Sequence, residues 1–204
     1  MTLLLNDFSR RRFLAGSVVF GATAMVSGPA HALNTDQARA LIDRLVGEIN
    51  SVINSGRPEA TMYLDFEQIF AKYAFVPGIA RTVLGPPARS ASKAELGAFT
   101  LAFRGYMGRK YGKRFREFIG GGIVVKDAKK LKSFYQVDTS ATLAGIAPFE
   151  VTFMVSDVSG KDLFFDMLIE GISLLKVEKT EIGAMLDRRR GDLGKMTEDL
   201  RKAG

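Results

Sequence analysis

Few residues in this sequence are of types that could carry out chemistry. The 204 residues include no cysteine and a single histidine, His31, which lies in a predicted leader that is removed. Catalytic triads, Cys-His pairs and zinc sites built on histidine or thiolate are therefore excluded from the remaining chain. Acid–base catalysis by carboxyl and phenol groups stays open. Its candidates are Asp138, Asp166, Tyr106 and Tyr135, although no spacing singles them out.

The first 32 residues are predicted to be a cleaved signal peptide of the Tat type. Three arginines, at positions 10 to 12, precede an uncharged stretch that runs from Phe13 to Ala30. Ala30-His31-Ala32 has the small-x-small pattern that signal peptidase cuts. The alternative, an uncleaved anchor, is disfavoured because glycine and serine dilute this short apolar run. We therefore expect a single mature domain over residues 33–204, located in the periplasm.

The charge of the chain is moderately positive. The formal charge is +7, and loss of Arg10, Arg11, Arg12 and Asp7 with the leader removes +2 and leaves +5. The basic residues cluster at positions 109–116, 126–132 and 188–190. We expect no nucleic-acid partner for an exported protein, and anionic lipid head groups or an acidic protein are the better candidates. Solvated helix ends and turns are the alternative interpretation of each cluster.

The first half of the mature chain has the apolar spacing of helices. Capping boxes are predicted at Asn34 with Gln37 and at Ser92 with Glu95. The predicted helices cover residues 34–53, 65–73, 77–84 and 92–118. In the last of these, glycines share one side of the helix, so either another element approaches closely or the helix is pliable. These glycines are Gly97, Gly105, Gly108 and Gly112.

The second half changes to the alternating pattern of half-buried strands. The predicted strands cover residues 123–125, 133–143, 149–156 and 163–173, and helix returns over 178–189 and 193–200. Short turns between the strands favour an antiparallel meander. The sequence therefore predicts an α+β fold in which helices pack on an antiparallel sheet.

Several segments together resemble the MlaC-type family, also called toluene-tolerance proteins. They are Asp65-Phe66, Val83-Leu84-Gly85, the long helix led by Ser92 with Phe99 and Phe103, and the block from Phe165 to Ser173. The resemblance covers nearly the whole mature chain. Two positions depart from it, because Ala88 and Leu163 stand where we expect tryptophan, and this leaves a different ligand open.

The resemblance implies a periplasmic phospholipid carrier and no enzyme. The implied fold is nuclear-transport-factor-2-like or cystatin-like, with a curved antiparallel sheet and an internal apolar cavity that holds acyl chains. The implied partners are phospholipid as cargo, an inner-membrane ABC transporter complex with an Mce-domain subunit, and an outer-membrane lipoprotein complex. No metal or cofactor is implied, and the protein is expected to be a monomer that contacts the membrane complexes transiently.

The composition agrees with a carrier, because each methylene removed from water contributes about 0.8 kcal/mol and apolar walls matter most. Twelve phenylalanines follow the leader. The expected cavity-lining residues are Phe70, Leu84, Phe99, Phe103 and Tyr106 on the helices, with Val151, Phe153, Phe165, Met167 and Ile169 opposite. Each of them could instead belong to an ordinary core.

Three carboxylates fall inside the family-like segments. Asp65 is predicted to cap a helix, while Asp166 and Glu170 share one face of their strand. These two carboxylates either pair with a basic residue at the cavity mouth or anchor the local structure.

Three alternatives to a phospholipid carrier stay open. They are a carrier of another lipid such as a hopanoid, an adaptor subunit that binds no lipid, and an enzyme of the same fold type.

Overall fold

The computed structural model describes residues 33–204, and the predicted leader lies outside the described residues. Six α-helices and five strands occur within this range. The helices are α1 (Thr35–Ile53), α2 (Glu59–Tyr73), α3 (Val76–Leu84), α4 (Lys93–Phe115), α5 (Leu174–Arg188) and α6 (Leu193–Lys202). The strands are β1 (Gly122–Lys130), β2 (Tyr135–Leu143), β3 (Ile146–Ser156), β4 (Leu163–Ile169) and β5 (Ile172–Ser173).

The five strands form one antiparallel sheet in the order β1-β2-β3-β4-β5. This arrangement confirms the predicted α+β class and the meander. Bulges between Val125 and Asp127, between Ala141 and Leu143, and between Met154 and Val155 interrupt the regular register. Because a bulge bends its strand and increases the local twist, these interruptions curve the sheet around the helices.

Helix α1 packs on β1 and begins as predicted. The Asn34 side chain accepts a hydrogen bond from the Gln37 backbone N–H at 2.9 Å, and the Gln37 side chain accepts one from the Asn34 N–H. Further along α1, Asn50 Nδ2 donates to the Ile123 carbonyl at 2.9 Å and Asn50 Oδ1 accepts from the Ile123 N–H at 3.0 Å. This pair of hydrogen bonds fixes the start of β1 against the helix.

The predicted start of the second helix at Asp65 is wrong. Helix α2 begins six residues earlier, at Glu59, after Pro58, whose carbonyl accepts from the Thr61 and Met62 N–H groups. Proline is tolerated at this N-cap position because no intrahelical hydrogen bond needs its missing N–H. Asp65 therefore lies in the second turn of α2, where it forms an ion pair with Arg57 at 2.9 Å.

Helix α4 has the predicted Ser92–Glu95 capping box, in which the Glu95 N–H donates to Ser92 Oγ and the Ser92 N–H donates to the Glu95 carboxylate. Two of its glycines lie against α2. A Cβ added at Gly108 would lie 2.8 Å from Glu67 Cβ, and one at Gly112 would lie 2.6 Å from the Tyr63 ring. Close approach of α2 therefore explains Gly108 and Gly112, whereas Gly97 faces open space.

Alanine substitutions at these glycines are expected to change stability in opposite directions. Gly97→Ala should stabilise the protein by about 0.5–1 kcal/mol, because alanine loses less backbone entropy in a helix. Gly108→Ala should destabilise it by about 1–3 kcal/mol, because the new Cβ would also lie 3.2 Å from the Tyr63 carbonyl oxygen. Urea unfolding followed by circular dichroism measures both changes. Equal effects at the two positions would contradict this assignment.

The last predicted strand, residues 163–173, is divided by a two-residue turn. Glu170 and Gly171 have φ of 49° and 76°, and the turn pairs Ile169 with Ile172. Ser173 then caps α5, which starts at Leu174 and not near Glu178 as predicted, and accepts from the Lys176 N–H at 3.2 Å. Helix α5 therefore begins directly at the end of the sheet, and its first residues, Leu174 and Leu175, pack against the core.

Candidate functional site

An apolar cavity of about 270 Å³ lies between the sheet and helices α1, α2, α4 and α5. Aromatic side chains from the helices and the strands provide much of its lining. They are Phe66, Phe70, Phe103, Tyr111, Phe118, Phe149, Phe153, Phe164 and Phe165. Most other lining residues are aliphatic, which is the composition expected of a site for an apolar ligand.

Seven of the ten residues expected to line a cavity border this one. They are Phe70, Phe103, Val151, Phe153, Phe165, Met167 and Ile169. Phe103 is fully buried, and its ring centroid lies 6.4 Å from that of Phe70. Helix α4 therefore contributes one side of the cavity, and β3 and β4 contribute the other.

The other three expected residues are buried in the core outside the cavity lining. Phe99 lies one turn before Phe103 and stacks on its ring with the centroids 6.0 Å apart, and it does not line the cavity. Tyr106 directs its hydroxyl toward Lys110, on the side of α4 that meets α5. Leu84 ends α3, which packs against α5. Their helical spacing indicated burial correctly but did not distinguish core from cavity.

A bulge changes which side chains of β4 point into the molecule. Val155 pairs with Phe164, whereas Met154 pairs with Asp166, so Phe165 has no partner in the register. Phe164 consequently shares the inner face with Met167 and Ile169, although it is three and five residues away from them and regular alternation would place it on the other face. Phe165 also borders the cavity and packs edge-to-face on Phe134 at 5.5 Å.

Sequence reasoning missed several lining residues. Phe149 has the same strand parity as Val151 and Phe153, so alternation could have identified it. Phe66 lies one helical turn before Phe70 and could have been found by spacing. No local pattern predicts Leu174 or Leu175, because they reach the cavity only through the junction of β5 with α5.

The polar lining residues of the cavity include Tyr111, Arg114, Glu117, Asp166 and Glu178. Arg114 and Glu117 are exposed, so their part of the lining meets solvent. Glu178 is only 1% exposed. It lies next to Tyr111, whose hydroxyl donates a hydrogen bond to Glu178 Oε1. The otherwise apolar lining therefore includes a few polar groups, some of them exposed and one deeply buried.

Lys110 holds Glu178 in place. Its ammonium group donates to Glu178 Oε1 at 2.7 Å, to the Tyr106 hydroxyl at 2.8 Å, and to Glu181. Burial raises the pKa of Tyr106, and the negative charge of Glu178 raises it further. Burial and the hydrogen bond to Glu178 likewise raise the pKa of Tyr111. Both phenols therefore stay protonated at neutral pH.

The two carboxylates of the last family-like segment do not work as a pair. Asp166 accepts from the Met167 N–H at 2.8 Å, the Ser173 hydroxyl at 2.6 Å and the Leu175 N–H at 3.0 Å. It anchors the junction of β4, β5 and α5. Glu170 lies in the turn beyond β4, where its carboxylate accepts from the Glu150 N–H. The anchoring interpretation of both residues is the one that the contacts support.

The residues at the expected tryptophan positions differ in their surroundings. Ala88 is buried in a short 3-10 turn, and Leu163 begins β4 opposite Ser156. Neither borders the cavity. Arg109 of α4 has a structural role, because it donates hydrogen bonds to the Leu200 and Ala203 carbonyls and thereby holds the end of α6.

Two kinds of feature are absent from residues 33–204. Within that range no helix is long and apolar enough to span a bilayer. The same residues contain no group of three or more histidine, cysteine, aspartate or glutamate side chains placed to hold a metal ion.

Comparison with known proteins agrees with this geometry. The structure of the phospholipid-binding protein from Ralstonia solanacearum, in complex with a phospholipid, matches with a TM-score of 0.69 at 15% sequence identity. The match covers 81% of this chain and 95% of that one, and it shows that the two share a fold. A search of curated proteins gives no match. The family model described as MlaC protein matches residues 41–202, most of the chain, and this protein therefore belongs to the MlaC family.

Proposed function

We propose that this chain is a periplasmic carrier that holds the acyl chains of a phospholipid in the cavity and shuttles the lipid between the outer and inner membranes. Residues 1–32 serve as its Tat-type signal peptide, and residues 33–204 form the single lipid-binding domain. It acts as the soluble component of an ABC-type transport system, without a catalytic step. Its partners are the inner-membrane Mce-domain ABC complex and an outer-membrane lipoprotein complex.

The apolar cavity is the observation that carries this proposal. It lies in a fold shared with a protein whose structure contains a phospholipid, and its lining combines phenylalanines of α2, α4 and the sheet with aliphatic side chains. Ten methylenes removed from water contribute about 8 kcal/mol, enough to retain a lipid in solution. The cavity volume of about 270 Å³ is near the lower end for ligand sites. We therefore expect the half-buried residues Phe70, Met167 and Ile169 to move apart when two chains enter.

Native mass spectrometry of protein purified from the periplasm, followed by lipid extraction, tests the proposal. The expected result is a polypeptide that begins at Leu33 and carries one phospholipid. Copurified hopanoid would instead identify another lipid as cargo. A persistently empty protein that still binds the membrane complexes would support the adaptor alternative and contradict the carrier. An enzyme would be indicated if the extracted lipid were chemically altered by the purified protein.

A further inference from the structure

The cavity follows one side of α4 and is closed at one end. Its lining includes Phe103, Met107, Tyr111 and Arg114, which lie three or four residues apart and therefore share one side of the helix. Exposure rises along this series, from a fully buried Phe103 through a half-buried Tyr111 to an exposed Arg114. Phe99, the preceding residue of the same stripe, is fully buried and does not line the cavity. The cavity is therefore closed at Phe103 and meets solvent near Arg114.

Four phenylalanine rings form a continuous group at the closed end, and we call this group the aromatic floor. In order of contact they are Phe103, Phe70, Phe164 and Phe153, with successive ring centroids 6.4, 6.1 and 5.6 Å apart. They belong to α4, α2, β4 and β3, and all four border the cavity. The aromatic floor therefore extends from the helices across to the sheet.

Buried side chains support the aromatic floor from behind. Phe99 stacks on Phe103 with the ring centroids 6.0 Å apart. Val155, which pairs with Phe164, is fully buried and does not line the cavity. Because protein interiors are closely packed, buried rings with filled space behind them cannot recede. Movement of the half-buried Phe70 would widen the cavity, whereas the three buried rings fix its depth.

The depth of the cavity is close to the thickness of one bilayer leaflet. Phe103 and Arg114 are eleven residues apart within α4. A rise of about 1.5 Å per residue places them about 16 Å apart along the helix. The hydrocarbon core of a bilayer is about 30 Å thick, so the chains of one leaflet span about 15 Å. A chain of an ordinary membrane lipid therefore reaches from the exposed end of the cavity to the aromatic floor, and a longer chain does not fit.

We propose that the aromatic floor limits the length of the acyl chains that the protein carries, so that Phe103 and the rings beside it determine specificity. The inference rests on the proposed carrier function and specifies its cargo as an amphiphile whose chains match about one leaflet in length, with the head group at the exposed end. A chain that is two methylenes too long leaves them in water, which lowers its affinity about tenfold. A chain that is too short leaves the floor uncovered and gains less from burial.

Competition among lipids that differ only in chain length tests this limit. The mature protein is unfolded in guanidinium to release its lipid and is then refolded with vesicles of mixed phosphatidylcholines. The vesicles contain equal amounts of lipids with dimyristoleoyl, dipalmitoleoyl, dioleoyl, dieicosenoyl and dierucoyl chains. Mass spectrometry quantifies the lipid bound to the re-isolated protein. We expect dipalmitoleoyl and dioleoyl lipids to be enriched at least tenfold over the dierucoyl lipid.

Two substitutions should shift this preference in opposite directions. Phe103→Ala removes one ring of the aromatic floor and opens the space up to Phe99, one helical turn deeper. The ratio of bound dierucoyl to bound dioleoyl lipid should therefore rise about tenfold. Met107→Phe adds a ring one turn above the floor, so the preference should move to the dimyristoleoyl lipid by a similar factor.

Phe149→Ala is the matched control. It removes a ring of the same size from the cavity lining, but Phe149 is half-buried and packs on Phe118, one residue after the exposed Glu117. The substitution should lower the total amount of bound lipid. Its ratio of dierucoyl to dioleoyl lipid should stay within about twofold of the wild-type value, because the aromatic floor is intact.

The outcomes distinguish this inference from the carrier function. A wild-type protein that takes up all chain lengths equally would overturn the length limit and keep the carrier. A shift in Phe149→Ala as large as that in Phe103→Ala would assign the effect to cavity volume alone and overturn the role of the floor. A wild-type protein that takes up no lipid would overturn the carrier function itself. Should Phe103→Ala not fold, as judged by circular dichroism, the wild-type series and Met107→Phe decide the matter.

Discussion

Met167→Asp is expected to lower the amount of lipid retained by the purified protein at least tenfold. Met167 lies on the inner face of β4, pairs with Phe153 and borders the cavity. An acyl chain placed against an ionised carboxylate strips water from it, which costs several kcal/mol, and each 1.4 kcal/mol is a tenfold loss of affinity. Lipid extraction and quantification by mass spectrometry, per mole of protein, measure the loss.

The neighbouring residue provides the control for this prediction. Leu168 has a similar degree of burial, but it lies on the opposite face of the same strand and does not border the cavity. Leu168→Asp should therefore retain lipid at nearly the wild-type level, while both variants keep the circular dichroism spectrum of the wild type. Equal retention by the two variants would show that the lipid does not occupy this cavity.

Asp166→Ala is expected to destabilise the protein by about 3 kcal/mol. The substitution removes the acceptor of three hydrogen bonds, from the Met167 N–H, the Ser173 hydroxyl and the Leu175 N–H. Hydrogen bonds to charged groups contribute about 1.5–3 kcal/mol each, and solvent replaces part of this where the site is half-buried. The substitution weakens the junction between the sheet and α5. Urea unfolding measures the resulting loss of stability.

The isosteric substitution separates the hydrogen bonds from the shape of the side chain. Asp166→Asn keeps an acceptor for the two N–H groups and should cost less than half as much as Asp166→Ala. Since α5 carries Leu174, Leu175 and Glu178 to the cavity, Asp166→Ala should also reduce lipid retention. An unfolding free energy within 0.5 kcal/mol of the wild-type value, on the scale of an ordinary surface substitution, would contradict the anchoring role.

Local signals in the sequence predicted much of the fold. The capping boxes at Asn34 and Ser92 and the alternation in the strands act over a few residues, so they can be read without the tertiary structure. The start of α2 was misplaced because Asp65 looks like a cap, whereas Pro58 starts the helix and Arg57 pairs with Asp65. The family resemblance, based on short segments spread along the chain, is confirmed.

The residues that line the candidate site were harder to predict from the sequence. Periodicity identified Phe99, Phe103 and Tyr106 as one buried stripe, but only Phe103 borders the cavity. The inner position of Phe164 depends on a bulge, and a single unpaired residue reverses the parity that alternation assumes. Periodicity predicts which face of an element is buried, and it does not predict which buried residues meet empty space.

By itself, the sequence determined the α+β class, the apolar character of the interior and the resemblance to the MlaC family, because composition, periodicity and motif spacing are properties of the chain. Only the tertiary structure decided where the cavity lies and that Glu178, Lys110 and Tyr111 come together beside it. Glu178 and Lys110 are 68 residues apart, and no local pattern relates them. Their contact joins side chains of α4 and α5, and it depends on how the helices and the sheet fit together in three dimensions.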